Sequence, residues 1–245
     1  MPPLIEEACH VLSRRRLALS VVDVGAGLGR IPFAMARRGL LDTCSVVLVD
    51  VLATACAAAK RLELGEVIRC DACHLPLRNQ SFHLIVCSAL IEHVASDEDL
   101  LRELAHILGN DGYLYLSTVV KKYGISFFRR NGKFVLDPDH VREYSSVGQL
   151  MAVLSRAGFS EKALIASGVK FSLSGLLTRL FMLFGFLPKA TDLYVKFPRL
   201  LELHERTSAR LPGYYIIDVL CQLENRDPTN ASAGQAREMS PAGGS

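Results

Sequence analysis

The stretch that decides the fold is VVDVGAGLGR, residues 21–30, in which apolar residues flank Asp23 and three glycines follow at every second position. Glycine adopts backbone angles that other residues avoid, and it lets a ligand approach the main chain closely. A glycine-rich turn between a first strand and its helix is where doubly wound α/β folds bind nucleotide-like ligands. The spacing therefore indicates either such a binding turn or a tight strand-to-helix turn that binds nothing.

Short apolar segments rich in β-branched residues alternate with helix-like segments along the chain. Segments that are apolar throughout suit strands covered on both faces. The order of the segments predicts an α/β fold, a doubly wound Rossmann-like sheet of seven mostly parallel strands with helices on both faces. The predicted strands are residues 20–25, 44–50, 66–72, 82–88, 112–120, 161–167 and 214–223.

The helices and the chain ends complete this organisation. The clearest predicted helix begins after Ser96, a capping residue followed by three acids, and ends at Gly109. We predict a single domain over residues 1–223, with a helical lid insertion at about 170–211 between the sixth and seventh strands. Residues 224–245 are small and polar, a composition typical of a disordered tail.

Two acids close the second and third predicted strands. Asp50 follows the glycine turn by roughly the ~20 residues at which a carboxylate can bind ribose hydroxyls. Asp71 lies where it could accept from an adenine amino group. Acids at strand ends are ordinarily solvated turn residues, but their coincidence with the glycine turn at three consecutive strand ends favours a ligand site.

Two other nucleotide motifs do not fit the turn. A dinucleotide fingerprint requires glycine where this chain has Arg30. A phosphate-binding loop requires Lys followed by Ser or Thr after the glycines, which the turn lacks.

The turn instead resembles the first motif of class I S-adenosylmethionine-dependent methyltransferases, acid-x-Gly-x-Gly-x-Gly. VVLVD, residues 46–50, resembles the second motif of that family. CDACHLPLRNQSFHLIVCSALIEHV, residues 70–94, resembles the third and fourth. The resemblance covers roughly residues 20–120, and residues 137–159 are similar to the small-molecule branch of the family.

The resemblance implies S-adenosyl-L-methionine as cofactor and assigns a role to each matching residue. Asp23 is expected to organise the glycine turn or the methionine amino group, and Asp50 to bind the ribose. Asp71 lies near adenine, and Ser88 faces the methionine moiety. The expected cofactor-binding residues are Asp23, Gly25, Ala26, Gly27, Gly29, Asp50, Val51, Asp71, Ala72 and Ser88.

Two histidines are candidates for a general base, which methyl transfer requires only if the acceptor is a hydroxyl or a protonated amine. His93 lies in the turn after the fourth strand, where it could equally be a capping or packing residue. His140 lies in residues 121–144, which have no period and indicate a loop or lid. Its alternative role is in a helix cap and salt-bridge cluster.

No metal site is expected from the cysteines. Cys70 and Cys73 form a Cys-x-x-Cys pair, but a structural zinc site needs four ligands and no second pair exists. The seven cysteines are dispersed through apolar segments, which argues against a secreted disulfide scaffold. With no signal-peptide pattern at the N-terminus, the predicted location is cytoplasmic.

The acceptor is expected to be a small or lipid-like molecule. Residues 172–187 are apolar but shorter than the ~20 residues of a spanning helix, so they indicate an acceptor lid, a membrane-interface helix or a packed core or dimer helix. The net charge of +3 is weak, so no nucleic-acid partner is expected. The alternatives are a macromolecular acceptor, RNA or protein, and a non-catalytic cofactor-binding scaffold.

Overall fold

The computed structural model describes residues 1–15, 18–42, 44–121, 128–130, 133–137, 139–172 and 208–224. The chain divides into two compact units. The first unit comprises Met1–Thr118, Gly148–Leu164 and Asp218–Ser245. The second unit comprises Val119–Val147 and Ile165–Ile217.

Helices and strands alternate over the first half of the chain. These elements are α1 (Pro3–Ser13), β1 (Leu19–Val24), α2 (Arg30–Ala36), β2 (Cys44–Asp50), α3 (Ala53–Lys60), β3 (Glu66–Arg69), β4 (Phe82–Ser88), α4 (Asp97–Ile107) and β5 (Leu108–Lys121). The elements that follow are β6 (Phe128–Arg130), β7 (Lys133–Val135), α5 (Val147–Arg156), β8 (Phe159–Ser172) and β9 (Ser208–Leu223).

Seven strands form one sheet in the order β3-β2-β1-β4-β5-β9-β8. The pairs β1–β2, β1–β4, β2–β3 and β4–β5 are all parallel. The chain winds outward from β1 to β3 and then in the other direction from β4 to β5. Because crossover connections are right-handed, this reversal places helices on both faces of the sheet. The predicted doubly wound, mostly parallel fold is confirmed.

The last strand of the chain is the exception to the parallel arrangement. The amide of Glu224 donates to the carbonyl of Gly158 at 2.8 Å, and the Ser160 hydroxyl donates to the carbonyl of Gln222 at 3.3 Å. The end of β9 therefore lies beside the start of β8, so the two strands are antiparallel.

The core of the first unit packs helices against alternate residues of the strands. Val21 of β1 pairs with Val46 of β2, and Asp23 pairs with Leu48, so these side chains share one face of the sheet. One buried cluster on this face joins α1, α2 and the strands through Leu4, Ile5, Ala8, Leu12, Val21, Met35, Leu84, Val86 and Tyr115. A second cluster packs α3 there through Val46, Leu48 and Ala59.

Helix α4 begins where the sequence predicts and ends earlier. The Ser96 side chain accepts a hydrogen bond from the Asp99 amide, which confirms the N-cap. The helix ends at Ile107, because Leu108 already has the extended angles of β5. The prediction that Gly109 ends the helix is therefore wrong. Gly109 lies inside the strand, where an added Cβ would be 3.2 Å from the carbonyl oxygen of Phe82.

The region predicted as an aperiodic loop or lid, residues 121–144, contains regular structure. Its strands β6 and β7 form an antiparallel hairpin in which Phe128 pairs with Val135. Strands of three residues are too short to give a detectable period, so the sequence could not reveal them.

The approximate bounds of the predicted helical insertion, about 170–211, overlap the ends of two strands. β8 continues to Ser172 and β9 begins at Ser208, while residues 173–207 lie outside the described residues. The apolar stretch 172–187 and the tail 225–245 therefore stay predictions. None of the helices that the structure describes is long and apolar enough to cross a membrane.

Candidate functional site

The glycine turn leaves the carboxyl end of β1 and is fixed to the end of β2. The amides of Gly25 and Ala26 both donate to the carbonyl of Val49, at 2.8 and 2.9 Å. Gly25, Gly27 and Gly29 have φ angles of 76°, 54° and 71°, the left-handed region in which other residues are strained. The backbone conformation alone therefore favours glycine at all three positions.

The space beside the three glycines differs. A Cβ at Gly25 would meet Leu90 at 2.9 Å, and one at Gly29 would meet Leu62 at 2.7 Å. A Cβ at Gly27 has nothing within 4 Å. A side chain at either outer glycine would therefore displace a leucine side chain as well as strain the backbone, whereas the middle glycine faces open space that a ligand could use.

Asp50 ends β2 with its carboxylate directed at the turn. One oxygen, Oδ2, accepts from the Gly27 amide at 2.8 Å, and the other, Oδ1, accepts from the Leu52 amide at 2.8 Å. The side chain is partly exposed. These bonds hold the carboxylate at the carboxyl edge of the sheet, next to the open space at Gly27.

The third strand is shorter than predicted, ending at Arg69, so Asp71 lies in the loop two residues beyond it. The prediction that Asp71 closes a strand of residues 66–72 is therefore wrong in its bounds. The loop is still tied to the site, because the Cys70 amide donates to the carbonyl of Asp50 at 3.1 Å. Asp71 is exposed and accepts from the Cys73 amide at 2.9 Å.

Apolar surface lies exposed beside these acids. Val51 and Leu52, directly after Asp50, are 58% and 56% exposed, and Arg69 donates from Nε to the carbonyl of Val51 at 3.0 Å. Ala72 is buried. Large apolar side chains in solvent at a ligand-binding edge are suited to cover the flat face of a base.

Asp23 lies inside β1, one position before the strand ends, and is only 2% exposed. It shares a sheet face with Asp50, because Asp23 pairs with Leu48 and Asp50 follows two residues later on β2. Burial raises the pKa of Asp23 to about 7, and the negative charge of Asp50 contributes to the increase.

Strand β4 contributes a strained junction at the same edge. Ser88 ends the strand, and Ala89 follows with a φ of 51°, held by a hydrogen bond of 2.8 Å from its amide to the carbonyl of Ser117. Backbone strain of this kind is concentrated at functional sites. Ser88 is partly exposed, as a residue that contacts a ligand would be.

The sequence leaves open the role of one acid at this junction, Glu92. Glu92 is 1% exposed, and the Thr118 hydroxyl donates to its Oε2 at 2.8 Å. The two residues come from the turn after β4 and from β5. Glu92 lies within the motif of residues 70–94, but no local pattern pairs it with a residue 26 positions away.

The two candidate bases have different surroundings. His93 is exposed in the first unit, and its amide donates to the carbonyl of Leu90 at 2.8 Å. His140 is buried in the second unit, and its Nδ1 lies 2.7 Å from Glu143 Oε1.

Glu143 collects further donors within the second unit. Its carboxylate accepts from the Leu136 amide and, at 3.3 Å, from the Tyr214 hydroxyl. Leu136 and Tyr214 belong to one buried cluster. Glu143 is three residues from His140, a spacing visible in the sequence, whereas Tyr214 is 71 residues from Glu143 and could not be predicted.

All seven cysteines are free thiols. Burial, the nearby Asp71 carboxylate and other neighbours raise the pKa of Cys70 and of Cys73 above the usual value. Cys73 contacts the carbonyl of Ser96 through Sγ at 3.7 Å. This environment disfavours the thiolate, which is the form that binds metal or reacts.

The structure therefore groups most of the predicted cofactor residues at one edge of the first unit. Gly27 and Asp50 are joined by a hydrogen bond, Asp23 lies on the same sheet face, and the loop of Asp71 is bonded to Asp50. The roles of these residues toward a cofactor stay predictions.

Comparison with known proteins gives one domain family. Residues 22–116 match the family described as "Methyltransferase domain". That range runs from β1 to β5 and contains the glycine turn, Asp50, Asp71 and Ser88.

Two curated relatives are similar over part of their length. The chain is 26% identical over 104 residues to a ubiquinone biosynthesis O-methyltransferase of Coxiella burnetii, covering 42% of this chain and 44% of that protein. It is 27% identical over 154 residues to a malonyl-[acyl-carrier protein] O-methyltransferase of Geobacter sulfurreducens, covering 57% of this chain and 55% of that protein. The chain thus spans about half the length of the curated relatives that it matches.

A solved structure shares the fold over nearly the whole chain. An S-adenosylmethionine-dependent methyltransferase from Methanosarcina mazei superposes with a TM-score of 0.60 at 15% identity, covering 91% of this chain and 99% of that one. Strand order, glycine turn and family match agree. Residues 22–116 therefore match a methyltransferase domain family, and the chain shares the fold of the Methanosarcina mazei structure.

Proposed function

We propose that the protein transfers a methyl group from S-adenosyl-L-methionine to a small-molecule acceptor. The observation that carries this proposal is the pair formed by Gly27 and Asp50, in which open space beside the glycine adjoins a fixed carboxylate. The match of residues 22–116 to the methyltransferase domain family supports it.

The hydrogen-bonding capacity of Asp50 fits the ribose of such a cofactor. Each oxygen of Asp50 accepts one amide hydrogen, whereas a carboxylate can accept about four hydrogen bonds in all. The Asp50 carboxylate can therefore still accept hydrogen bonds from two ribose hydroxyls. Gly27, whose missing side chain leaves the space open, would let the cofactor approach the main chain.

The remaining residues would contact the two ends of the cofactor. In this proposal Val51 and Ala72 flank the adenine and Asp71 accepts from its amino group. Ser88 and Asp23 serve the methionine end. The shape of the turn depends on Gly25, Ala26 and Gly29.

Bound S-adenosylmethionine supplies a methyl group already activated by its sulfonium charge. What the chain has to do is hold the donor and align the acceptor, and alignment can contribute on the order of 7–11 kcal/mol to lowering the barrier. Where the acceptor atom carries a proton, a base is also needed. We assign that role to His140, whose Nδ1 is oriented by Glu143, with His93 as the alternative.

The proposed acceptor is an oxygen of a small or lipid-like molecule. Both curated relatives are named as O-methyltransferases, which supports oxygen as the methylated atom. The apolar residues 172–187 favour a lipid-like acceptor. Peripheral membrane contact through that stretch stays a prediction.

The acceptor class is tested by product release. Purified protein is incubated with S-adenosylmethionine and fractions of a cell extract, and released S-adenosylhomocysteine is measured. We expect release to be stimulated by organic-solvent or small-molecule fractions and to be absent with Asp50→Asn. Stimulation only by the RNA or protein fraction would instead indicate a macromolecular acceptor.

A further inference from the structure

Three carboxylates of the first unit lie at or near the edge that carries the glycine turn. Asp23 and Asp50 share one sheet face on the adjacent strands β1 and β2. Glu92, 1% exposed, lies in the turn after β4, the other neighbour of β1. Burial raises the pKa of the Cys87 thiol, and the charges of Glu92 and Asp23 raise it further, so both acids lie within electrostatic reach of β4.

Asp23 differs from the other two in how the protein compensates its charge. Asp50 accepts two amide hydrogens and Glu92 accepts a hydroxyl hydrogen. Asp23 is 2% exposed, and among the described residues no basic side chain forms an ion pair with it. A buried carboxylate beside another negative charge ionises at a free-energy cost unless a cation is supplied.

We propose that Asp23 is a specificity-determining residue that makes the pocket select the cationic methyl donor over its neutral-sulfur product. This inference rests on the proposed function. The donor has a sulfonium charge, and the product of methyl transfer has an uncharged thioether in its place. The amino and carboxylate groups of the methionine end are common to both, so the sulfonium is what an ionised Asp23 distinguishes.

The selection depends on pH. The pKa of Asp23 is raised to about 7 by burial and by Asp50, so its side chain is mostly protonated at pH 5.5 and ionised at pH 8.0. The titratable neighbours are Asp50 on β2, Cys87 on β4 and Glu92 after β4, while Arg30 at the start of α2 is exposed. Preference for the donor should therefore grow between these two pH values.

The test compares dissociation constants of S-adenosylmethionine and S-adenosylhomocysteine, measured by calorimetry, for the wild type and Asp23→Asn. At pH 8.0 we expect the wild type to prefer the donor about tenfold more strongly than the variant, since one pKa unit corresponds to a tenfold change. At pH 5.5 the two proteins should show the same preference. The titration of each ligand's own amino group is common to both proteins and cancels in the comparison.

Two results would overturn the inference in distinguishable ways. Equal preference of wild type and Asp23→Asn at pH 8.0, with both proteins binding the donor, removes the role of Asp23 and leaves the proposed function intact. Failure of the wild type to bind the donor overturns both. Glu66→Gln, which removes an exposed acid at the start of β3, is the matched control and should behave as the wild type.

A measurement on the wild type alone keeps the inference testable if Asp23→Asn does not fold. At pH 6.0 the cofactor amino groups are fully protonated and Asp23 is mostly protonated. Binding of the donor in buffers of different ionisation enthalpy should release about 0.4 proton, because a tenfold preference corresponds to an Asp23 pKa lowered by about one unit. Binding of the product should release close to none. Equal proton release for both ligands would contradict the proposal.

The cofactor-free protein gives a readout without any ligand. Because the folded-state pKa of Asp23 lies above its unfolded value, the unfolded chain loses this proton first as pH rises. The free energy of unfolding should fall between about pH 4 and pH 7 in the wild type, and this component should be missing in Asp23→Asn. An identical pH dependence of both proteins would show that Asp23 ionises without penalty.

Discussion

At the residue scale, His140 and Glu143 form a close pair in the second unit, with 2.7 Å between Nδ1 and Oε1. The carboxylate accepts from Leu136 and Tyr214 as well as facing His140 Nδ1. A carboxylate oxygen that faces Nδ1 favours the imidazole tautomer whose proton is on Nδ1. In that tautomer Nε2 is the proton acceptor, the arrangement that a general base requires.

We predict that His140→Ala lowers kcat by about 10²- to 10⁴-fold and leaves the dissociation constant of S-adenosylmethionine unchanged. The reason is that a base acts on the acceptor and not on the donor. Steady-state kinetics and calorimetry on one preparation measure both quantities. Glu143→Gln keeps a hydrogen-bond acceptor without the charge, and it should give a smaller loss with a changed pH profile.

His93→Ala is the matched control for this prediction. His93 is exposed, so its removal should leave folding intact. If His140→Ala altered neither kcat nor cofactor affinity, the assignment of the base to His140 would be wrong. A loss of kcat confined to His93→Ala would transfer the role to that residue.

At the element scale, α4 shows how local sequence determines a helix start. The Ser96 side chain accepts a hydrogen bond from the Asp99 amide at 3.1 Å. Three acids follow in the first turn, where their negative charges interact favourably with the positive end of the helix dipole. The buried residues Leu100 and Leu104 then fix its packing. These features are all local, which is why they could be read from the sequence.

Ser96→Ala should therefore lower the free energy of unfolding by about 1 kcal/mol, because the Asp99 amide loses its partner. For a chain of this size the melting temperature should fall by roughly 2–4 °C. Thermal unfolding followed by circular dichroism measures the shift. Ser96→Asp, which restores an acceptor, should recover most of it, and an unchanged melting temperature in the alanine variant would mean that the cap contributes nothing.

The strands show where sequence prediction works and where it fails. β2 and β4 have the predicted bounds, 44–50 and 82–88, because each contains a central run of apolar residues that ends in a polar one, Asp50 or Ser88. β3 has four residues instead of seven, since Cys70 and Asp71 leave the ladder to form the loop near Asp50. The hairpin of β6 and β7 is stabilised by pairing that no local pattern encodes.

At the scale of the whole molecule, the site combines residues that are far apart in the chain. Gly27 and Asp50 are 23 residues apart, and the sequence could join them because a strand order with parallel crossovers brings successive carboxyl ends to one edge. The partners of Glu92 and Glu143 depend on tertiary packing and could not be inferred in the same way. The two outer glycines are favoured by their positive φ angles, and they are also crowded by Leu90 and Leu62, which no local pattern indicates.

The overall charge of +3 is weak, whereas the edge that carries the glycine turn has three carboxylates at or near it, Asp23, Asp50 and Glu92. The carboxylates at this edge favour the binding of a compact cation there. This distribution is consistent with a charged sulfonium donor and a small acceptor.

The central claim, that Asp50 and the glycine turn hold the cofactor, is tested most directly by calorimetric titration of S-adenosylmethionine into the wild type and Asp50→Asn. We predict that the wild type binds and that the variant binds at least about a hundredfold more weakly, because two charge-assisted hydrogen bonds to the ribose are each worth about 1.5–3 kcal/mol. Asp42→Asn, an exposed acid before β2, should bind as the wild type. Equal affinity of Asp50→Asn and the wild type, or no binding by either, would contradict the account.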